Sequence, residues 1–170
     1  MAASNSPVYL VDADADPVLV KICGRASFLN SQLIRDFLQQ SIRDGKRHFA
    51  VDFSECTGMD STFLGVLAGT ALELRKAVPS GSFVFCRLGS RNLELVRNLG
   101  LHRLATVDSG AALPSKGASE STALEGPKQG DIENARLCLE AHESLVEADE
   151  ANRRKFQDVI TFLKGRVQQD

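Results

Sequence analysis

Apolar and polar positions along the first two thirds of the chain follow a pattern of short strands and longer helices. Residues 8–11 and 18–23 are apolar, strand-like runs, and the short acidic turn between them predicts a hairpin. Residues 34–42 then carry apolar side chains at helical spacing. The pattern therefore begins with two strands and a helix.

Further strands and helices follow in alternation. Residues 48–53, 82–86 and 104–107 predict strands, and residues 61–77 and 90–99 carry helical patterns. Alternation of this kind favours a sheet with parallel strands and right-handed crossovers, and the N-terminal hairpin makes that sheet mixed. The predicted fold class is therefore α/β, with a mixed four- to five-stranded sheet and helices packed on it.

Composition changes beyond the last of these strands. Of the seventeen residues 114–130, nine are Ser, Thr, Gly or Pro, which predicts a flexible linker. Residues 131–168 contain no Pro, and no Gly before Gly165, which predicts a long C-terminal helix or a helical hairpin. The expected division is a domain over residues 1–113, then the linker, then a helical extension over residues 131–170.

The C-terminal segment carries apolar residues at heptad spacing. The polar residues His142, Asp149 and Arg153 interrupt this seam, which weakens a continuous coiled coil and is equally consistent with a hairpin. The expected roles are self-association through residues 131–168, docking on the domain, or binding of a partner helix. The simpler alternative is a helix that completes the core of the preceding domain.

A candidate chemical site lies between the third predicted strand and the second predicted helix. A short polar loop over residues 54–59 leads into Asp60 and Ser61, where the helical pattern begins. Unpaired backbone N–H groups and the positive end of the helix dipole favour an anion at such a position. Ser61 is therefore a candidate phosphoacceptor, with Thr62 as a second one. In the simpler interpretation these residues only cap the helix, and the two roles can coexist.

One face of the second predicted helix is a candidate contact surface. A separate apolar stripe on this helix suffices to cover the sheet, which leaves another face beside the Ser61 loop. An exposed Phe-Val pair there would form a contact patch. The alternative is that this face is buried beneath the C-terminal helix. The predicted partner-binding residues are Asp60, Ser61, Thr62, Phe63, Val66 and Thr70.

Composition narrows the function classes. A formal net charge of −2 gives no electrostatic case for nucleic acid or for an anionic membrane surface. No apolar run approaches the ~18 residues of a membrane span, and residues 1–17 lack a secretory signal pattern. We therefore expect a cytoplasmic protein that does not insert into a membrane. No metal or cofactor motif is present, so we expect neither group.

The context of Ser61 argues against catalysis. Its neighbours Met59-Asp60 and Thr62-Phe63 do not form the GxSxG turn of a serine hydrolase. We therefore expect no enzymatic activity, with a small hydrolase that uses Ser61 as a remaining alternative.

Residues 60–67, DSTFLGVL, resemble the signature of the STAS domain family, which contains bacterial anti-sigma factor antagonists and their relatives. That family carries a strand, a loop, Asp-Ser, a small or hydroxyl residue and then Gly-Leu-Gly-Val-Leu. Phe63 stands here in place of the first glycine. The order of predicted elements over about residues 8–113 is also that of the STAS fold.

The resemblance implies a non-enzymatic signalling module that is regulated by phosphorylation of Ser61. It implies an anti-sigma factor or a serine kinase of the histidine-kinase-like ATPase fold as partner, and a PP2C-type phosphatase that restores binding. It also suggests a second interpretation, a scaffold subunit of a larger complex. Such a complex would be a stressosome-like assembly or a lipid transporter with a cytosolic accessory subunit. The long C-terminal segment favours this second interpretation.

Overall fold

The computed structural model describes residues 7–109, 113 and 121–169, and this part of the chain contains a six-stranded mixed sheet. The strands lie in the order β5-β4-β3-β2-β1-β6. Neighbours from β2 to β5 run parallel, whereas β1 is antiparallel to both β2 and β6. The predicted α/β class is confirmed. The strands are β1 Tyr9–Asp12, β2 Val18–Ala26, β3 His48–Met59, β4 Ser82–Cys86, β5 Thr106–Asp108 and β6 Thr122–Ala123.

Helices pack on this sheet. Side chains 49–53 of β3 are buried at consecutive positions, and successive side chains of a strand point to opposite faces, so both faces are covered at the centre of the sheet. None of the helices described is both long and apolar enough to cross a membrane. The helices are α1 Ser31–Arg43, α2 Ser61–Lys76, α3 Ser90–Asn98, α4 Asp131–Ala148 and α5 Asn152–Gln168, with a short 3-10 turn at Leu101–Arg103.

The strand β3 is longer than its apolar run. Residues 54–59, predicted as a polar loop, continue the strand and pair with the second half of β2. The register shifts twice along this pairing, between Lys21 and Cys23 and between Gly24 and Arg25. The loop prediction is wrong because backbone pairing with β2 extends the strand beyond its apolar side chains.

The segment predicted as a linker contributes an edge strand. Thr122 and Ala123 pair with β1, and the Leu124 N–H donates to the carbonyl of Tyr9 at 3.0 Å. The linker prediction is therefore wrong for these residues, because they satisfy backbone groups that β1 would otherwise leave unpaired. Residues 114–120 of the predicted linker lie outside the described residues.

Residues 131–168 form a helical hairpin and not one long helix. Asp149 adopts an extended backbone, with φ −153° and ψ 115°, directly after α4. Its carboxylate accepts from the Ala151 N–H at 3.0 Å, which forms a tight turn before α5. Arg166 near the end of α5 lies 4.0 Å from Asp131 at the start of α4, so the two helices run antiparallel.

The hairpin packs on the sheet and its helices. Leu137, Ala141 and Leu145 of α4 are at most 3% exposed and belong to the same apolar cluster as the strands. The buried side-chain amide of Asn152 donates to the carbonyl of Leu99 at 2.9 Å, which ties the hairpin turn to the end of α3. The structure therefore supports the alternative in which the C-terminal segment completes the core. Self-association through this segment stays a prediction.

Candidate functional site

Ser61 is the first residue of α2, directly after the carboxyl end of β3. The strand β3 lies between its parallel neighbours β2 and β4. The Asp60 N–H donates to the carbonyl of Ala26 at 3.2 Å, so the strand-to-helix junction is fixed across the ends of β3 and β2. Ligands and partners of open α/β sheets commonly meet them at this edge.

Asp60 caps α2 and also holds the neighbouring loop. One carboxylate oxygen accepts from the Phe63 N–H at 2.9 Å, and the other accepts from the Phe28 N–H at 2.8 Å. The first bond is the expected N-cap, and the extended backbone of Asp60 is typical of that position. The second bond joins the site to the loop between β2 and α1, which the sequence pattern did not indicate.

Ser61 forms a hydrogen bond with a histidine of the C-terminal hairpin. Its Oγ lies 2.9 Å from Nε2 of His142, while Nδ1 of His142 lies 2.6 Å from the carbonyl oxygen of Cys138. A carbonyl can only accept, so Nδ1 carries the proton, and in the neutral ring Nε2 is the acceptor. The Ser61 hydroxyl is therefore the donor to His142.

His142 is enclosed by protein. Its side chain is 4% exposed, and its ring contacts the edge of Phe156 in α5 with the centroids 5.0 Å apart. Sequence reasoning did not assign His142 to the site, because it lies 81 positions from Ser61. The sequence did contain one indication. His142 interrupts the apolar seam of α4, and a polar side chain buried at such a position needs a hydrogen-bond partner.

Thr62, the second candidate phosphoacceptor, is buried beneath α4. It is 4% exposed, and its hydroxyl donates to the sulfur of Cys138 at 3.4 Å. Burial raises the pKa of the Cys138 thiol, so this group is held as a neutral thiol. A kinase could reach Thr62 only if α4 moved away.

The expectation of an exposed patch on α2 is wrong. Phe63, Val66 and Thr70 are 0%, 6% and 6% exposed. The Phe63 ring stacks on Tyr9 of β1, with the centroids 6.1 Å apart, so it lies in the core. Val66 and Thr70 lie beside α4, because the hairpin supplies the cover that this apolar face requires.

Two glycines let α4 approach α2 closely. A Cβ at Gly65 would overlap the backbone carbonyl of Ala141, and a Cβ at Gly69 would lie 2.9 Å from Oγ of Ser144. Larger side chains at these positions would hold the two helices apart. The docked hairpin therefore requires a glycine at position 65, where the neighbour is backbone, whereas the neighbour of Gly69 is a side chain.

A groove leads from the surface to Ser61. Its walls are the start of α2, α3 and the first turn of α5, where Lys155 and Phe156 face the opening. The Lys155 ammonium donates to the carbonyl of Asn98 at 2.6 Å. Ser61 is half-buried at this groove, so the residue that bonds to His142 is also reached from outside.

No group of three or more His, Cys, Asp or Glu side chains in the described ranges is arranged to hold a metal ion. Burial raises the pKa of the Cys56 thiol, which lies near the site in β3. It also raises the pKa of Tyr9, whose hydroxyl donates to Oδ1 of Asn30 at 2.8 Å. These groups are therefore neutral and structural.

The family model described as "Mlab, STAS domain" matches residues 9–107, more than half of the chain. The chain therefore belongs to the STAS domain family, and the resemblance seen in residues 60–67 is confirmed. A comparison with curated proteins gave no match.

Solved structures of anti-sigma factor antagonists are similar to this chain. The antagonist from Mycobacterium paratuberculosis is 21% identical, with a TM-score of 0.53 over 64% of this chain and 91% of that one, which shows a shared fold. SpoIIAA in its unphosphorylated form is 16% identical, with a TM-score of 0.47 over 52% of this chain and 81% of that one. The Bacillus cell fate determinant SpoIIAA in the phosphorylated form is 17% identical, with a TM-score of 0.49 over 58% and 89%.

Proposed function

We propose that this chain is a non-enzymatic, cytoplasmic signalling module that binds protein partners as an anti-sigma factor antagonist and is regulated by phosphorylation of Ser61. The observation that carries the proposal is the place of Ser61. It is a groove-facing hydroxyl at the first residue of α2, beside the carboxyl end of a central strand. The proposed partner is an anti-sigma factor or a serine kinase of the histidine-kinase-like ATPase fold, and a PP2C-type phosphatase reverses the modification.

A phosphate would change this site strongly. It adds a charge of roughly −1.5 to −2 and strong acceptor oxygens. The first N–H groups of α2 favour that charge, while the adjacent Asp60 carboxylate opposes it. A partner that covers the groove would have to desolvate the added charge, so phosphorylation weakens partner binding.

The Ser61–His142 pair invites comparison with a hydrolytic dyad, since Nε2 is free to accept a proton. However, the Asp60 carboxylate next to Ser61 would oppose the negative charge of a tetrahedral intermediate. The Phe63 N–H, a potential donor to that charge, is already bound by Asp60. We therefore expect no labelling of Ser61 by a fluorophosphonate probe, and labelling that disappears in Ser61→Ala would favour the hydrolase.

Phosphopeptide mapping tests the main proposal. The full chain is incubated with the serine kinase encoded nearest to its gene, and the expected result is a single modified residue, Ser61. Ser90→Ala serves as the matched control, because Ser90 is also the first residue of a helix and is exposed. Incorporation that survives in Ser61→Ala with Thr62 unmodified would contradict the proposal.

Partner binding is the second arm of this test. Ser61→Asp and Ser61→Glu are expected to weaken binding to the anti-sigma factor or kinase at least tenfold, about 1.4 kcal/mol. Ser90→Asp should leave the affinity unchanged. Equal affinities for the Ser61 variants and the unmodified chain would rule out phosphoregulation through this residue.

A second candidate function, a scaffold subunit of a stressosome-like assembly or of a lipid transporter, is favoured by α5. This helix exposes Val159 and Phe162, which are 41% and 69% accessible and lie one turn apart. The same helix is basic, whereas the outward side of α4 carries Glu143 together with Glu140 and Glu147, which also pair with Arg35 and Lys76, and one cation, Arg136. Opposite charges of this kind suit pairing of two copies through residues 131–168.

Sedimentation separates this candidate from the first. A scaffold that self-associates through α5 would become smaller in Phe162→Ala, while Gln157→Ala, an exposed position on the same helix, would change nothing. A monomeric full chain at all concentrations would exclude the self-associating scaffold.

A further inference from the structure

We propose that the hydrogen bond between Ser61 and His142 is a latch that couples modification of Ser61 to undocking of the α4–α5 hairpin from α2. The inference rests on the proposed function to the extent that Ser61 is the modified residue. It adds a regulatory role for the C-terminal hairpin, and it assigns His142 as the residue that senses the state of Ser61.

The latch depends on one proton. His142 uses Nδ1–H to donate to its own helix at Cys138, so Nε2 presents a lone pair toward Ser61. The serine hydroxyl satisfies that lone pair by donating. A phosphate or a carboxylate at position 61 has no proton to give near pH 8, and it would place an anionic acceptor against the Nε2 acceptor.

On α4, the polar groups described next to Ser61 already have partners. The Thr62 hydroxyl donates to the sulfur of Cys138, and the Cys138 carbonyl is taken by His142. Asp60, the residue that caps α2, adds a second negative charge beside position 61. The cation in the same groove is Lys155, whose ammonium donates to the carbonyl of Asn98. Modification therefore weakens the docked arrangement at its polar centre.

The contact between α2 and α4 is suited to opening. It relies on close approach of the two backbones at Gly65, while at Gly69 the nearest atom is the side-chain Oγ of Ser144. The ion pairs at its rim, Lys76 with Glu147 and Arg35 with Glu140, involve exposed carboxylates and contribute little. Loss of the bond at the latch therefore raises the open fraction of the hairpin by the factor that corresponds to the free energy lost.

Opening would uncover a surface that already accepts a helix. The face of α2 that carries Val66 and Thr70 is covered by α4 and would become available when the hairpin leaves. A partner that supplies its own helix there would compete with α4 directly. The hairpin is thus an intramolecular competitor whose affinity is set by the state of Ser61.

Hydrogen exchange of the full chain at pH 8, without kinase or partner, tests the latch. In Ser61→Asp we expect amide exchange in α4 and α5 to rise about tenfold, with β3 and α1 unchanged. The matched control Ser90→Asp adds the same charge at the first residue of α3 and should change neither region.

Two further variants keep the test decisive. Ser61→Ala removes the donor without adding charge and should give a smaller increase, about threefold. In a His142→Leu background, which lacks the lone pair, Ser61→Asp should add no further increase. Equal acceleration in β3 and in the hairpin would mean general destabilisation and would overturn the latch.

Slower exchange in α5 would also overturn it, because it would show the carboxylate pairing with Lys155 and holding the hairpin in place. The outcome is separable from that of the proposed function. Unchanged exchange together with weakened partner binding would remove the latch and leave phosphoregulation standing. Faster exchange in the hairpin of Ser61→Asp, in a chain that no kinase modifies, would support the latch and contradict phosphoregulation.

Discussion

At the scale of single residues, Asp60 stabilises two backbone segments at once. Its two carboxylate oxygens accept from the N–H groups of Phe63 and Phe28, so it caps α2 and fixes the loop before α1. Ser61 is held between this cap and His142. The orientation of the serine hydroxyl therefore depends on neighbours from both ends of the chain.

Removal of the Asp60 carboxylate should destabilise the fold. Asp60→Ala loses the cap and the loop bond, and we expect a loss of about 1–2 kcal/mol in the free energy of unfolding, measured by denaturant titration. Asp60→Asn retains one acceptor oxygen and should lose less. An Asn variant as unstable as the Ala variant would show that charge, and not the two bonds, provides the stabilisation.

The sequence suggested that Phe63 belongs to an exposed contact patch, whereas its burial predicts a role in stability. Because its ring is fully buried against Tyr9, Phe63→Ala should destabilise by about 3–5 kcal/mol. The control Phe162→Ala removes a ring that is 69% exposed and should change stability by about 0.5 kcal/mol or less. Similar midpoints for both variants in thermal unfolding would contradict the assigned packing of Phe63.

At the scale of elements, the packing of α4 on α2 is the feature that distinguishes this molecule from a sheet with α1–α3 alone. The hairpin turn is tied to α3 through Asn152, and α4 lies against the glycine positions of α2. The same packing buries Val66 and Thr70. A hairpin that docks more stably on α2 therefore leaves this face of α2 less accessible.

Two glycine substitutions separate helix propensity from helix packing. Gly65→Ala would overlap the Ala141 carbonyl and should accelerate hydrogen exchange in α4, with a stability loss of roughly 1–3 kcal/mol. Gly165→Ala meets no atom within 4 Å in α5 and should stabilise by roughly 0.5–1 kcal/mol. If both variants gained stability, the close approach of α4 to Gly65 would be wrong.

At the scale of the whole molecule, the sheet and the hairpin share one apolar core. Leu137, Ala141 and Leu145 belong to the cluster that also contains the buried side chains of the strands. The strand β6 adds a second connection, because it pairs with β1 before the chain reaches α4. Residues 121–169 are thus part of the folded unit.

Truncation measures this dependence. A chain that ends at residue 113 lacks β6 and the hairpin, and one that ends at residue 130 lacks only the hairpin. Both should expose the apolar face of α2, bind the dye ANS and unfold at a lower temperature than the full chain, with the longer fragment melting at the higher temperature of the two. Two monomeric fragments with the midpoint of the full chain would show that the hairpin contributes nothing to the core.

The strands and helices with local signals could be predicted from the sequence. The elements β1–β5 and α1–α3 followed from periodicity, turn residues and helix stops, all of which lie within or beside each element. The two-residue strand β6 has no pattern of its own and exists because β1 offers unpaired backbone groups. For residues 131–168 the sequence predicted either one long helix or a helical hairpin. The hairpin forms because the side chains of Asp149 and Asn152 make the hydrogen bonds of the turn.

By itself the sequence determined the family, the α/β order and the place of Asp60 and Ser61 at a helix start. These features are encoded by adjacent residues, because a cap acts on backbone groups only a few positions away. The tertiary structure alone decided that His142 meets Ser61 and that α4 covers Val66 and Thr70. Such contacts join residues as much as 81 positions apart, and they exist only once the hairpin docks on α2.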